Sequence, residues 1–154
     1  MNNKKLEVIE FSKKLNNTNL SPLRSGNISV RTQIDGEDGF YITPSGIKYE
    51  NLKEEDIVFL SNEKEYDFLK IFNSGLNPSS EWRFHQDIYK NKREAKAIVH
   101  THSTHATAIS THRKSIPPFH FLRPRHQPLL QCLMYSILFF LIETLNLQLM
   151  RRRI

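Results

Sequence analysis

The sequence is most informative at Ile98-Val99-His100-Thr101-His102, an apolar run that ends in two histidines separated by one residue. In a β-strand, side chains two positions apart point to the same face, so the imidazoles of His100 and His102 can aim at one point. Neutral imidazoles and a carboxylate suit Zn²⁺ or a similar divalent cation, and Glu81 is the nearest upstream carboxylate in a plausible pocket. The spacing therefore predicts a metal site built from Glu81, His100 and His102.

The patterns on either side of this stretch predict alternating helices and strands. Apolar residues at helical spacing predict a first amphipathic helix, and alternating polar and apolar residues predict a hairpin. A short apolar strand, a helix that begins near Ser79 or Ser80, the histidine-bearing strand and a last helix follow. In chain order, these elements cover residues 6–15, 25–31 and 40–43 around a turn at 35–39, then 57–60, 79–92, 97–102 and 106–110.

Composition narrows the class of protein. A chain of 154 residues fits one domain, and its net charge of +6 is unevenly placed. Residues 1–122 carry 17 Lys and Arg against 15 Asp and Glu, whereas residues 123–154 carry 5 against 1. Because the basic excess lies largely in the tail, no nucleic-acid partner is expected.

The single cysteine, Cys132, excludes an intrachain disulfide, and the N-terminus has no signal-like apolar core, so a cytoplasmic location is expected.

The character of the chain changes after Phe121. All five glycines precede this point, and residues 129–149 form an apolar segment that is followed by three arginines. The densest part of that segment, residues 133–142, is shorter than the roughly 20 apolar residues that span a membrane. A buried or surface-adsorbed helix is therefore predicted here in preference to a transmembrane span.

Several motifs follow one another along the first 121 residues: Ser25-Gly26-Asn27-Ile28-Ser29-Val30-Arg31, Ile42-Thr43-Pro44-Ser45-Gly46, Pro78-Ser79-Ser80-Glu81-Trp82, Val99-His100-Thr101-His102 and Ser115-Ile116-Pro117. Together they resemble the class II aldolase/adducin family, which includes sugar-phosphate aldolases and epimerases. The resemblance implies an α/β fold with a central, mainly antiparallel sheet flanked by helices in a three-layer sandwich. It also implies a zinc-dependent lyase that cleaves a small sugar phosphate through a metal-stabilised enediolate, and a homotetramer.

The resemblance also implies a role for each motif. His100 and His102, with Glu81 near or on the metal, would hold the ion, and Glu81 would move a proton to or from the carbanion. Glycines that allow close backbone approach and hydroxyls that donate hydrogen bonds suit a phosphate, but the same residue types also serve turns and helix caps. The residues that would hold the phosphate are Gly26, Asn27, Ser45, Gly46, Ser79 and Ser80.

The chain departs from the family pattern beyond Ile116-Pro117. The resemblance implies a third metal-binding histidine in a later His-His-Gly-like motif, and this sequence contains no such motif. We therefore expect residues 1–121 to be the N-terminal part of the family domain and residues 122–154 to be a non-family tail, as a shifted reading frame or an early stop would produce. An epimerase or dehydratase, an inactive fragment and a non-catalytic adducin-like module remain alternatives.

The other histidines are less informative. His85 lies one helical turn after Glu81 and could pair with it, but its position favours a histidine on the helix surface. None of the other four, at positions 105, 112, 120 and 126, is predicted to bind metal.

Overall fold

The computed structural model of the chain describes residues 3–18, 20–67, 70–71, 74–112 and 138–141. Its strands form one antiparallel sheet with the order β3-β2-β1-β4-β5. The expected α/β fold with a central antiparallel sheet and flanking helices is confirmed. Its elements are α1 (Asn3–Asn17), β1 (Asn27–Ile34), β2 (Glu37–Ile42), β3 (Val58–Ser61), α2 (Trp82–Asn91), β4 (Ala97–Thr101), α3 (Thr104–Ser110) and β5 (Leu138–Leu141).

The sheet is the middle of three layers because its strands bury side chains on both faces. In β2, Phe40 packs in a cluster with Trp82 and Tyr89 of α2, whereas Tyr41 packs in a cluster with Val8 of α1. Successive side chains of a strand point to opposite faces, so α1 and α2 lie on opposite sides of the sheet. In β4, Ile98 belongs to the α2 side, which places His100, two residues later, on that side as well.

The hairpin between β1 and β2 is tighter than the sequence predicted. Asp35 and Gly36 both have positive φ angles, of 51° and 85°, as a type I′ turn requires. These two residues close the hairpin, and Ile34 pairs directly with Glu37. The predicted turn over residues 35–39 was too long, because Glu37 to Gly39 already belong to β2.

The start of α2 also differs from the prediction. The helix begins at Trp82 rather than at Ser79 or Ser80, and its N-cap residue is Glu81, which makes no side-chain capping bond. The Ser79 N–H donates to the Thr43 carbonyl at 2.9 Å, next to the bridge between residues 44 and 78. Ser79 is thus tied to the loop after β2 before the helix starts, which a local helix signal does not reveal.

The tail contributes a strand where a helix was predicted. Leu138–Leu141 pairs with β4, with Phe139 opposite His100, so the helix prediction is wrong for these four residues. A strand at the edge of a sheet has unpaired backbone groups, and β5 satisfies those of β4. The rest of the predicted segment lies outside the described residues. Within the described part of the chain, no helix has the length and apolar character needed to cross a membrane.

A test of backbone strain is available at Leu23, a residue that is 98% exposed and whose φ and ψ are 56° and 24°. Left-handed backbone is unfavourable for residues with a Cβ, so Leu23→Gly should raise the free energy of unfolding by about 0.5 to 1 kcal/mol. Urea denaturation measures this change. Leu23→Ala keeps the Cβ and is the matched control; an equal gain in that variant would contradict strain as the cause.

Candidate metal centre

Glu81, His100 and His102 converge in the folded chain. One potential ligand atom from each of the three lies within 4.8 Å of the other two. Glu81 Oε2 is 2.7 Å from His100 Nδ1, and the two imidazole rings have centroids 4.5 Å apart. The structure thus brings together the three residues that the sequence selected as metal ligands.

The two histidines are held differently. His100 is fully buried near the end of β4, whereas His102 follows the strand, one residue after its end at Thr101. The backbone N–H of His102 donates to the Leu20 carbonyl at 3.0 Å, which fixes the segment against the loop before β1. The strand predicted over residues 97–102 was therefore one residue too long.

Pairing between β1 and β4 places Asn27 beside His100. The two residues are directly opposite in the antiparallel register, so their side chains lie on the same face of the sheet. Gly26 permits this close approach, since a Cβ there would clash with the His100 carbonyl oxygen. The absence of a side chain at Gly26 is required for the packing of the chain itself, whatever else the residue binds.

The side-chain amide of Asn27 has partners at both of its ends. Its Nδ2 donates to Glu81 Oε2 at 2.5 Å and lies 3.3 Å from His100 Nδ1. Its Oδ1 is 2.5 Å from His85 Nε2. Sequence reasoning assigned Asn27 to a phosphate site and missed these contacts with the candidate metal ligands.

The prediction of a surface position for His85 is wrong. His85 is fully buried, and its Nδ1 lies 2.7 Å from Ser29 Oγ, which in turn lies 2.8 Å from the Tyr89 hydroxyl. The signal that could have found it is helical periodicity: His85 lies three residues after Trp82 and four before Tyr89, on the stripe that faces the sheet.

A pocket of about 390 Å³ adjoins the centre. The bridge between Pro44 and Pro78 and the hydrogen bond from Ser45 N–H to the Asn77 carbonyl, 2.9 Å, hold its two loops together. All six residues selected for a phosphate line this pocket, and so do Glu81 and His102, whereas His100 is buried behind it. The lining residues are Leu23, Ser25, Gly26, Asn27, Pro44, Ser45, Gly46, Ile47, Tyr49, Ser79, Ser80, Glu81 and His102.

The electrostatics of the centre favour ligand forms of its side chains. Burial acts to raise the pKa of Glu81, but hydrogen bonds from His100 and Asn27 and the nearby imidazoles hold it below its usual value. Burial, with the adjacent His100, lowers the pKa of His102. At neutral pH, Glu81 is therefore a carboxylate and His102 is neutral, the forms that bind metal. Two imidazoles and one carboxylate form a donor set that fits Zn²⁺ or a similar divalent cation.

Comparison with known proteins gives the family of the chain and agrees with its fold. The family model described as Class II Aldolase and Adducin N-terminal domain matches residues 6–135. The chain is 39% identical over 116 residues to an L-fuculose phosphate aldolase of Escherichia coli (strain K12), a match that covers 75% of this chain and 49% of that protein. It is 36% identical over 115 residues to a 5-methylthioribulose-1-phosphate/5-deoxyribulose-1-phosphate aldolase of Rhodospirillum rubrum, covering 75% and 48%. The chain thus spans about half the length of the curated relatives it matches.

Solved structures of aldolases are similar to this chain in fold. An L-fuculose 1-phosphate aldolase superposes with a TM-score of 0.62 at 33% identity, over 76% of this chain and 52% of that one. An l-fuculose-1-phosphate aldolase from Thermus thermophilus also has a TM-score of 0.62, at 26% identity over 79% and 57%.

The burial of His85 leads to a prediction about acid stability. Burial, with the neighbouring His100, lowers the pKa of His85 to about 3. Between that value and about 6.5 the unfolded chain binds a proton that the folded chain excludes, so stability rises with pH. The slope from this one group is up to about 1.4 kcal/mol per pH unit.

Urea denaturation of the wild type and His85→Gln at a series of pH values measures this slope. As the pH falls below about 6.5, the free energy of unfolding of the wild type should decrease more steeply than that of His85→Gln. His105→Gln controls for the removal of an exposed histidine. Parallel curves for the wild type and His85→Gln would contradict the prediction.

Proposed function

The chain belongs to the Class II Aldolase and Adducin N-terminal domain family, and from this premise we propose that it forms the metal-binding and phosphate-binding part of a sugar-phosphate aldolase. The observation that carries the proposal is the convergence of Glu81, His100 and His102 beside a pocket lined with serines and glycines. The relatives named as aldolases of fuculose phosphate and of methylthioribulose and deoxyribulose 1-phosphates favour a short ketose 1-phosphate as the substrate.

His100, His102 and Glu81 would hold the ion. Three protein ligands are typical of catalytic zinc sites, which keep a further position open. A bound divalent cation supplies Lewis-acid stabilisation of the negative charge that develops on substrate oxygens. The chemistry of the donor set favours zinc, and the distances between the three side chains allow them to bind one ion.

Glu81 would carry the proton transfer. Its side chain is 28% exposed and lines the pocket, so it can reach a substrate there. Aldol cleavage breaks the bond between the carbons α and β to the ketose carbonyl, releases the proton of the β-hydroxyl and leaves a carbanion at the α carbon. The Glu81 carboxylate would take up one proton, deliver it to this carbanion and recover it in the reverse reaction. The Asn27 amide and His100 would hold Glu81 in place during this exchange.

The phosphate would be held by neutral donors. The hydroxyls of Ser45, Ser79 and Ser80 line the pocket together with the backbones of Gly26 and Gly46, and its described lining contains no lysine or arginine. Backbone N–H groups and hydroxyls bind phosphates in many proteins without a cationic side chain. Gly46 has a φ of 79°, which a glycine adopts without strain.

The broader expectations stay predictions. They are a homo-oligomer, a tetramer by resemblance, a cytoplasmic location, and a boundary near residue 121 between the family domain and the tail. The family match to residue 135 passes beyond that boundary, so the extent of the tail is a matter for experiment.

Metal binding is tested by titrating the purified 154-residue chain with Co²⁺ and Zn²⁺. We expect one ion per chain, and His102→Ala should weaken binding more than about a hundredfold because it removes one of three ligands. His102 is chosen because it is partly exposed, whereas His100 is fully buried. His105→Ala, which removes an exposed histidine, is the matched control. A wild type without a metal site, or equal affinity in both variants, would refute the site.

Activity is tested with L-fuculose 1-phosphate, 5-deoxyribulose 1-phosphate and 5-methylthioribulose 1-phosphate in the presence of the bound ion. Aldol cleavage of a ketose 1-phosphate releases dihydroxyacetone phosphate, which a coupled assay detects. Glu81→Gln should lower kcat by about 10²-fold or more, and the exposed Glu94→Gln should leave it unchanged. An epimerised but uncleaved sugar would indicate an epimerase, and metal binding without turnover would indicate a non-catalytic module.

A further inference from the structure

A chain of buried polar side chains lies behind the candidate metal centre, between the sheet and α2. Asn27 and Ser29 come from β1, and His85 and Tyr89 come from α2. None of the four is more than 3% exposed, and of these only Asn27 also lines the pocket. A buried polar group is costly unless it is hydrogen-bonded, so the chain of contacts between them matters energetically.

The carboxylate of Glu81 fixes the direction of every hydrogen bond in this chain. An ionised carboxylate only accepts, so Asn27 must present its Nδ2 to Glu81, 2.5 Å away. This turns Asn27 Oδ1 toward His85 Nε2, which must therefore carry the hydrogen. A neutral imidazole has one N–H, so His85 Nδ1 accepts from the Ser29 hydroxyl. Having donated its hydrogen, Ser29 accepts from the Tyr89 hydroxyl.

The far end of the chain returns to the strand that carries the histidines. Ser29, which contacts the Tyr89 hydroxyl, pairs across the sheet with Ile98 of β4, two residues before His100. The polar chain therefore links β1, α2 and β4, the three elements that meet at the candidate metal centre. It has only one arrangement that satisfies all its donors and acceptors.

From this geometry we propose that His85 is a positioning residue for the metal centre. Its Nε2–H holds the Asn27 amide in the orientation that directs Nδ2 at Glu81. The opposite orientation would place two acceptor oxygens, Asn27 Oδ1 and Glu81 Oε2, at hydrogen-bond distance from each other. Without the His85 donor, Asn27 Oδ1 loses its partner, and the amide is held by Glu81 alone, so the contact that positions Glu81 becomes less rigid. The inference rests on the proposed metal site, because the consequence of misplacing Glu81 is weaker metal binding.

The test compares two substitutions at His85 in the full 154-residue chain. His85→Leu removes both ring contacts, whereas the amide of His85→Gln can donate to Asn27 and accept from Ser29. Titration with Co²⁺ should show a loss of affinity of about ten- to a hundredfold for His85→Leu and less than about threefold for His85→Gln. Ser29→Ala, which removes the next link and less volume, should give a smaller loss. A folded His85→Leu variant with wild-type affinity would overturn the proposal.

A metal-free readout separates this proposal from the proposed function. In ¹⁵N-resolved NMR of the wild type, His85 should be the Nε2–H tautomer, and the His100 ring hydrogen facing Glu81 should be slow to exchange. That slow exchange should be lost in Ser29→Ala and His85→Leu but kept in His85→Gln. An Nδ1–H tautomer, or an unchanged His100 signal in the variants, would overturn the positioning role even if the leucine variant fails to fold. A wild type that passes this test but binds no Co²⁺ would refute the metal site alone.

Discussion

The cross-strand pair of Asn27 and His100 is the contact on which the rest of the site depends. The two residues are 73 positions apart in the chain and become neighbours because β1 and β4 pair in antiparallel register. Once they are adjacent, the Asn27 amide can reach Glu81, and Glu81 can reach His100. Gly26 sets the spacing, since any side chain there would meet the His100 carbonyl. A shift of one residue in this register would turn either side chain to the opposite face of the sheet.

The core between the sheet and α2 therefore has two parts with different roles. An apolar part, which includes Phe40, Trp82 and Ile98, buries large side chains and supplies most of the driving force for packing. A polar part, centred on His85, is equally buried but is joined by hydrogen bonds. Fully satisfied polar networks of this kind restrict side chains to one arrangement, which apolar packing does less strictly. The same helix thus carries both apolar core residues and the His85 side chain that contacts Asn27.

The sequence predicted the local elements well where a pattern repeated over several residues. The amphipathic helix at the N-terminus, the hairpin and the histidine-bearing strand all lie where periodicity placed them, with ends that differ by a few residues. The predictions failed where a distant partner decided the outcome. Ser79 is bound to Thr43 and so precedes the helix rather than capping it, His85 is covered by β1, and residues 138–141 pair with β4 instead of forming a helix.

Residue types and their spacing alone were enough to select the candidate donor set and the family. The donor set follows from two histidines at strand spacing and one upstream glutamate, and the family follows from the serine and glycine motifs around them. Both can be recognised without the fold because residue type and period depend only on neighbouring positions. Which groups hold those donors in place follows from the packed fold and not from local sequence. The partners of Glu81, His85 and Asn27 come from separate elements, and hydrogen bonds between them exist only after β1, α2 and β4 have packed together. The direction of those bonds follows from burial, which leaves each polar atom only its protein neighbours to satisfy it.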